Sequence, residues 1–169
     1  MKILFAASES SPYIKSGGLA DVLHSLPKEL ARRGNDVRVV IPLYKHSSRK
    51  VQEEFNYLGS FHVEMPTSSE YAGVFSHKND GVIYYFIDNE HYFYRENLYG
   101  QYDDGERFSF FNHAILKLME EIGFYPDILH LNDWHVGAAA VLFKDGYSWR
   151  EEFKKTKVVF TIHNLKYQG

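Results

Sequence analysis

The stretch from Lys2 to Ala7 is apolar almost throughout, a density that suits a strand buried on both faces of a parallel sheet. A polar loop follows, Ser8 to Gly18, punctuated by Pro12, Gly17 and Gly18. Beyond it Leu19, Val22, Leu23, Leu26 and Leu30 recur at helical spacing and end at Arg32-Arg33-Gly34. The arginines suit the negative end of a helix, and Gly34 suits a left-handed cap. Pro27 lies inside this pattern and is expected to kink the helix or shift its register. Asp36 to Pro42, with Val37, Val39, Val40 and Ile41, reads as a second strand. Strand, glycine-containing loop, helix and strand make a βαβ unit, which predicts a parallel sheet with a right-handed crossover.

The middle of the chain changes period. Phe55 to Met65, Tyr71 to His77 and Val82 to Asp88 read as three strands, with Asn79-Asp80-Gly81 as a hairpin signal. A meander within or beside the parallel sheet is expected. Arg107 to Ile122 then carries Phe108, Phe111, Ile115, Leu118, Met119 and Ile122 on one helical stripe. Pro126 precedes a strand from Asp127 to Leu131, a small-residue helix spans about Val136 to Phe143, and Lys157 to Ile162 is the last strand. The pattern is that of a single α/β domain over residues 1–169, with a mainly parallel sheet and a β-meander. It contains no repeat or linker. A chain stopping at Tyr167-Gln168-Gly169, just past a buried strand with no closing helix, is expected to be a fragment of something longer.

Composition narrows the class of function. Charged residues are 24% and hydrophobic residues 44% of 169, ordinary for a soluble domain with a substantial core. Aromatic residues reach 17%, many of them between Tyr92 and Phe111, and such rings serve sugar surfaces and cores equally well. A net charge of −3 and a pI near 6.3 give no basic footprint for nucleic acid or an anionic membrane. The absence of cysteine excludes disulfides and thiolate metal sites. The apolar start is too short for a signal peptide or a membrane helix, so a cytoplasmic protein is expected.

Open α/β sheets bind ligands beyond the carboxyl ends of their strands. Three loops leave such ends here: Ser8 to Gly18, Asn132 to His135, and His163 to Gly169. In the first, Lys15-Ser16-Gly17-Gly18-Leu19-Ala20-Asp21 offers two glycines at a helix start, where free amides and the helix dipole favour an anion such as phosphate. Lys15 would add a point charge for a diphosphate. A surface loop with a solvated lysine fits the same residues. Neither GxxxxGK[ST] nor GxGxxG is present. In the second, His130, Asp133 and His135 invite a metal reading, but HExxH spacing is missing and a strand-to-loop step would scatter them, so no metal is expected. Asp133 also suits the N-cap of the following helix, and Trp134 suits a core position. In the third, His163-Asn164 offers donors and acceptors for sugar hydroxyls, or a turn that satisfies its own backbone.

Lys-x-Gly-Gly-Leu-Ala-Asp-Val from Lys15, Asn132-Asp133-Trp134-His135, and Thr161-Ile162-His163-Asn164-Leu165 through Tyr167-Gln168-Gly169 together resemble the bacterial glycogen synthases and plant starch synthases. Asp88-Asn89-Glu90-His91-Tyr92-Phe93 and Leu98-Tyr99-Gly100 resemble them too, and the likeness runs from Lys2 to Gly169 in the family's order. The resemblance implies a Rossmann-like fold with helices on both faces of the sheet, the N-terminal half of a two-domain GT-B glycosyltransferase. It implies transfer of glucose from ADP-glucose to the 4-hydroxyl at a non-reducing end of an α-1,4-glucan such as glycogen, with retention and without a metal or other cofactor. The nucleotide-binding C-terminal domain lies outside this chain, so the fragment alone is expected to be inactive.

Residue by residue, the resemblance makes Lys15, His163 and Asp21 the catalytic set. Lys15 with the Gly17 and Gly18 amides would meet the diphosphate, His163 would face the transferring glucose, and Asp21 would touch the acceptor or orient Lys15. Glu9, Asp133, Asn164 and Tyr167 are candidates for sugar hydroxyls. His135 stands where many relatives have glutamine, which argues against essential acid–base work, and no aromatic between Tyr92 and Arg95 is assigned. Two other readings compete. A nucleotide-binding domain of an oxidoreductase is disfavoured by the missing GxGxxG. A non-catalytic glucan-binding or scaffold module has aromatic richness and short length in its favour.

Overall fold

The computed structural model describes residues 1–47 and 52–166. Strand β1 (Lys2–Ala6), helix α1 (Gly18–Arg32) and strand β2 (Asp36–Pro42) form the expected βαβ unit, with β1 and β2 parallel and Ile3 opposite Val37. The buried faces of both strands explain their unbroken apolar runs: Leu4, Ala6, Val39, Val40 and Ile41 are all fully buried. Gly34 closes α1 at φ +84°, where a side chain would be strained, and its amide bonds the carbonyl of Ala31.

Pro27 does not break α1, which runs through it without interruption. The missing amide of residue 27 would have bonded the carbonyl of Leu23. That carbonyl instead accepts the hydroxyl of Ser10 at 3.0 Å, and Ser10 is itself fully buried. A residue of the preceding loop thus fills the gap in the helix ladder.

Strands β3 (Asn56–Glu64), β4 (Ser69–Asn79) and β5 (Val82–Asp88) form an antiparallel meander. The β4–β5 turn has Asp80 at φ +51° and Gly81 at φ +82°, the two positive angles of a hairpin turn matched to strand twist. The meander joins the parallel sheet because β5 lies parallel to β2. After a short helix α2 (Glu90–Phe93), the long helix α3 (Asp104–Glu121) leads to β6 (Ile128–Asn132). A 3-10 turn (Trp134–Val136) and helix α4 (Ala138–Gly146) lead on to β7 (Lys157–Thr161). One seven-stranded sheet results, in the order β3-β4-β5-β2-β1-β6-β7. The crossovers β1–α1–β2 and β5–α3–β6 run in opposite directions across the sheet. Right-handed connections therefore put α1 on one face, and α3 with α4 on the other.

Helix α3 starts three residues before its predicted start and is buried beyond the predicted stripe. Phe110, Ala114 and Leu116 are fully buried alongside Phe108, Phe111, Ile115, Leu118 and Met119. The extra burial comes from its neighbours, with the sheet on one side and α4 on another. Asn112 locks this packing: its amide nitrogen donates to the carbonyls of Phe108 and His135, and its oxygen accepts the amide of Ala139 at 2.6 Å. An asparagine of one helix thereby caps the start of the next and fixes the turn that carries Asp133 and His135.

Candidate active site

The carboxyl ends of β1, β6 and β7 open on a cavity of about 450 Å³. Its walls hold Glu9, Gly17, Gly18, Asp133, His163 and Asn164, so six of the residues singled out in the sequence meet at one place. Tyr167 lies outside the described residues.

The wall at the start of α1 is built from the loop. Gly17 precedes the helix with extended backbone and no side-chain cap, leaving the first-turn amides without a helical partner. A Cβ on Gly18 would meet nothing within 4 Å, and one on Gly17 would come no closer than 3.8 Å to the Glu9 carboxylate. The glycines are not demanded by protein packing; they leave open space next to the amides. Glu9, 2% exposed, turns its carboxylate to this helix start and accepts the amide of Ser16.

Lys15 and Asp21 stand beside this wall rather than in it. The Lys15 ammonium lies 2.7 Å from both Asp21 carboxylate oxygens, and both side chains are half-exposed. The lysine hydrogen bond holds the Asp21 carboxyl below the usual carboxylate range. Lys15 is therefore ion-paired rather than a solvated, unengaged lysine, and its partner is Asp21, the residue expected either to touch the acceptor or to orient it.

The opposite wall comes from β6 and β7. Asn132 donates its amide protons to the carbonyls of Ala6 and His130, which leaves its oxygen to face His163 Nε2 at 3.0 Å. The His163 ring consequently carries a proton on Nε2. Asp133 has φ +63°, a strained backbone for a residue with a side chain, worth on the order of 1–3 kcal/mol. Its carboxylate does not cap the following turn as the sequence suggested. It reaches across to accept the backbone amide of His163 at 2.7 Å. Asn164 caps its own turn, its oxygen accepting the amide of Lys166. The segment's ionisable groups diverge: His130 bonds Thr161, Asp133 bonds His163, and His135 bonds Ser8. Among the described residues no metal-holding cluster of three such groups forms.

Three further side chains complete the site that sequence reasoning did not assign to it. Tyr99 lines the cavity, shares a hydrogen bond with Ser8 at 2.8 Å and lies 4.5 Å from the His135 ring. Ser8 in turn meets His135 Nδ1 at 3.2 Å. Leu98-Tyr99-Gly100 resembled the family, but nothing periodic in that stretch points at a strand end. Trp134, expected in the core, stacks on His135 at 4.1 Å and also faces the cavity.

Burial lowers the pKa of His135 to about 4, so the ring is neutral at pH 7 and serves as packing and a hydrogen-bond partner, not as a proton donor. Stability follows from the sign of this shift. The unfolded ring takes up its proton near pH 6.5, while the folded ring stays neutral down to about pH 4. Its contribution is fully present above pH 6.5 and is lost as the pH falls through that window, by roughly 3 kcal/mol. Urea unfolding of the chain at pH 7 and pH 4.5 is expected to show the loss. His135→Gln should flatten it, and an equal loss in that variant would assign the dependence to other groups.

The sequence and the fold have counterparts among known proteins. Residues 2–169 match the family described as starch synthase catalytic domain. The chain is 51% identical over 169 residues to a glycogen synthase of Clostridium kluyveri and 49% identical to one of Finegoldia magna. It is covered completely in both comparisons and spans 36% of each of those proteins. The catalytic domain of starch synthase IV from Arabidopsis thaliana, solved bound to ADP and acarbose, superposes with a TM-score of 0.89 at 30% identity. That match covers 98% of this chain and 34% of the plant one. A sucrose-phosphate synthase of Thermosynechococcus elongatus, 14% identical with a TM-score of 0.51 over 97% of this chain and 33% of its own, shares the fold. By motif, by sequence and by superposition, this chain belongs to the starch synthase catalytic domain family.

Proposed function

We propose that the chain is the N-terminal, acceptor-side domain of a cytoplasmic glycogen synthase. The whole enzyme would move glucose from ADP-glucose to the non-reducing 4-hydroxyl of an α-1,4-glucan, with retention. The observation that carries the proposal is the cavity itself, with the glycine helix start on one wall and His163, fixed by Asn132 and Asp133, on the other. Relatives named glycogen synthase and a starch synthase bound to ADP and acarbose support the choice of donor and acceptor.

In this reading each wall has its task. The Gly17 and Gly18 amides and the Lys15 ammonium face the diphosphate, where negative charge grows as the glycosidic phosphate bond breaks. Asp21 orients Lys15, a role that their close contact supports. His163 lies against the glucose on the other side, where positive charge develops at the anomeric carbon. Glu9, Asp133 and Asn164 offer acceptors for sugar hydroxyls. The C-terminal domain supplies the remaining nucleotide contacts.

Labelled ADP-glucose and a maltooligosaccharide test the assignment. The 169-residue chain alone is expected to leave the oligosaccharide unextended. The full enzyme carrying it should add glucose in α linkage. Extension by the isolated chain would refute the two-domain reading, and a full enzyme that extends nothing would refute the activity.

A further inference from the structure

Two side-chain bonds from alternate residues of β6 reach β7 and the segment that follows it. His130 Nε2 meets Thr161 Oγ1 at 2.7 Å, and Asn132 Oδ1 meets His163 Nε2 at 3.0 Å. The first ties the strands together near their ends. The second ends on a ring that lines the candidate site's cavity. Asn132 itself is 1% exposed, and its side chain bonds only protein atoms of β1, β6 and His163.

An amide can turn either end to a histidine, and its surroundings decide which. The Asn132 nitrogen donates to the carbonyl of Ala6 at 3.3 Å and to that of His130 at 3.1 Å. Turning the amide over would set its oxygen against two carbonyl oxygens, acceptor against acceptor, in a buried place where unpaired groups are costly. The oxygen is therefore committed to His163, and an oxygen of this kind only accepts. In the neutral ring the proton must sit on Nε2 and the lone pair on Nδ1. Nδ1 bonds nothing among the described residues, so it is the polar ring atom left for a ligand. Asp133 holds the same residue through its backbone amide, which places the ring without choosing its tautomer.

We propose that Asn132 is a positioning residue that fixes the tautomer of His163, so that the neutral ring brings a lone pair, and not an N–H group, to the cavity. A lone pair accepts a hydrogen bond from a sugar hydroxyl and repels a phosphate oxygen. That use rests on the glucosyl transfer proposed above, in which it helps to keep the sugar on the His163 wall and the diphosphate on the glycine wall. The tautomer itself is a property of this chain alone.

Ring-nitrogen NMR signals of the isotope-labelled 169-residue chain, at about pH 8 where an ordinary histidine is neutral, read the tautomer directly. His163, identified by the signals lost in His163→Ala, is expected to show a protonated Nε2 and an unprotonated Nδ1. A proton on Nδ1, or signals averaged between the two nitrogens as in a freely turning ring, would overturn the proposal without any variant of Asn132. In the full enzyme Asn132→Ala should lower kcat about tenfold, the rate equivalent of one hydrogen bond. In a His163→Ala background the same substitution should cost almost nothing further, because Asn132 acts through the ring. Equal losses in both backgrounds would make Asn132 a purely structural residue and overturn its positioning role. A full enzyme that extends no glucan would remove the proposed activity, while the spectrum would still decide the tautomer.

Discussion

Lys15→Ala, in the two-domain enzyme proposed above, is expected to lower kcat about a hundred- to a thousand-fold, with a much smaller change in apparent acceptor affinity. The reasoning is electrostatic. In the proposed function the first-turn amides of α1, beside the open space at Gly17 and Gly18, and the neighbouring Lys15 ammonium would act where charge appears as the diphosphate departs. The Asp21 contact sharpens the expectation. Asp21→Asn leaves the ammonium in place but loosens its position, so its loss should be smaller, and adding it to Lys15→Ala should cost nearly nothing more. Lys15→Arg should recover little, because a guanidinium pairs side-on with the Asp21 carboxylate and does not present a compact charge to the diphosphate. Thermal unfolding should barely change, since the pair is exposed. Steady-state kinetics of the four variants decide the matter. Normal turnover in folded Lys15→Ala would leave the glycine amides as the only phosphate donors.

The second large effect concerns stability. Arg107 is fully buried, and its Nε donates to the carbonyl of Tyr92 while Nη1 reaches the carbonyl of Leu98 and the Asp104 carboxylate. It therefore pins both ends of the stretch that leads into Tyr99, which lines the candidate-site cavity. Arg107→Met removes the cation and strands a largely buried carboxylate with two carbonyls. The expected loss is about 3–5 kcal/mol in unfolding free energy, or roughly 10 °C in Tm. Replacing Asp104 together with Arg107 should recover part of it, because the stranded charge goes too. Denaturant unfolding reads both effects. A single Arg107→Met variant as stable as the parent would show that the segment holds itself.

What the sequence made legible was local. The strand Lys2–Ala6, the hairpin at Asp80-Gly81 and the stripe of α3 each follow from residues close together in the chain, where period and turn chemistry act directly. The cavity was legible for a related reason: Glu9, Gly17, Gly18, Asp133, His163 and Asn164 all lie in loops leaving strand ends, and the sheet brings such loops to one edge. What escaped depended on partners distant in sequence. Ser8, Tyr99 and His135 form a hydrogen-bonded and stacked set only after the stretch following α2 folds over the end of β1. The carboxylate of Asp133 looked like a helix cap because its partner, the amide of His163, sits one strand away. The meander's place beside β2 could not be read from its own alternation, since that pairing is set by the neighbouring strand.

The hydroxyl of Ser10 on the carbonyl of Leu23 makes the loop and the helix depend on each other. Helix α1 is weakest where Pro27 removes a rung, and that rung is replaced only while the loop is seated. The loop in turn is held by the helix it repairs, through Ser10 and through the amide of Ser11 on the carbonyl of Ala20. The two should open as a single cooperative unit, so that amides in the second half of α1 exchange hydrogen at the same rate as those of Ser11 and Tyr13. The rigidity of the glycine-bearing wall is in this sense borrowed from a defect in the helix behind it.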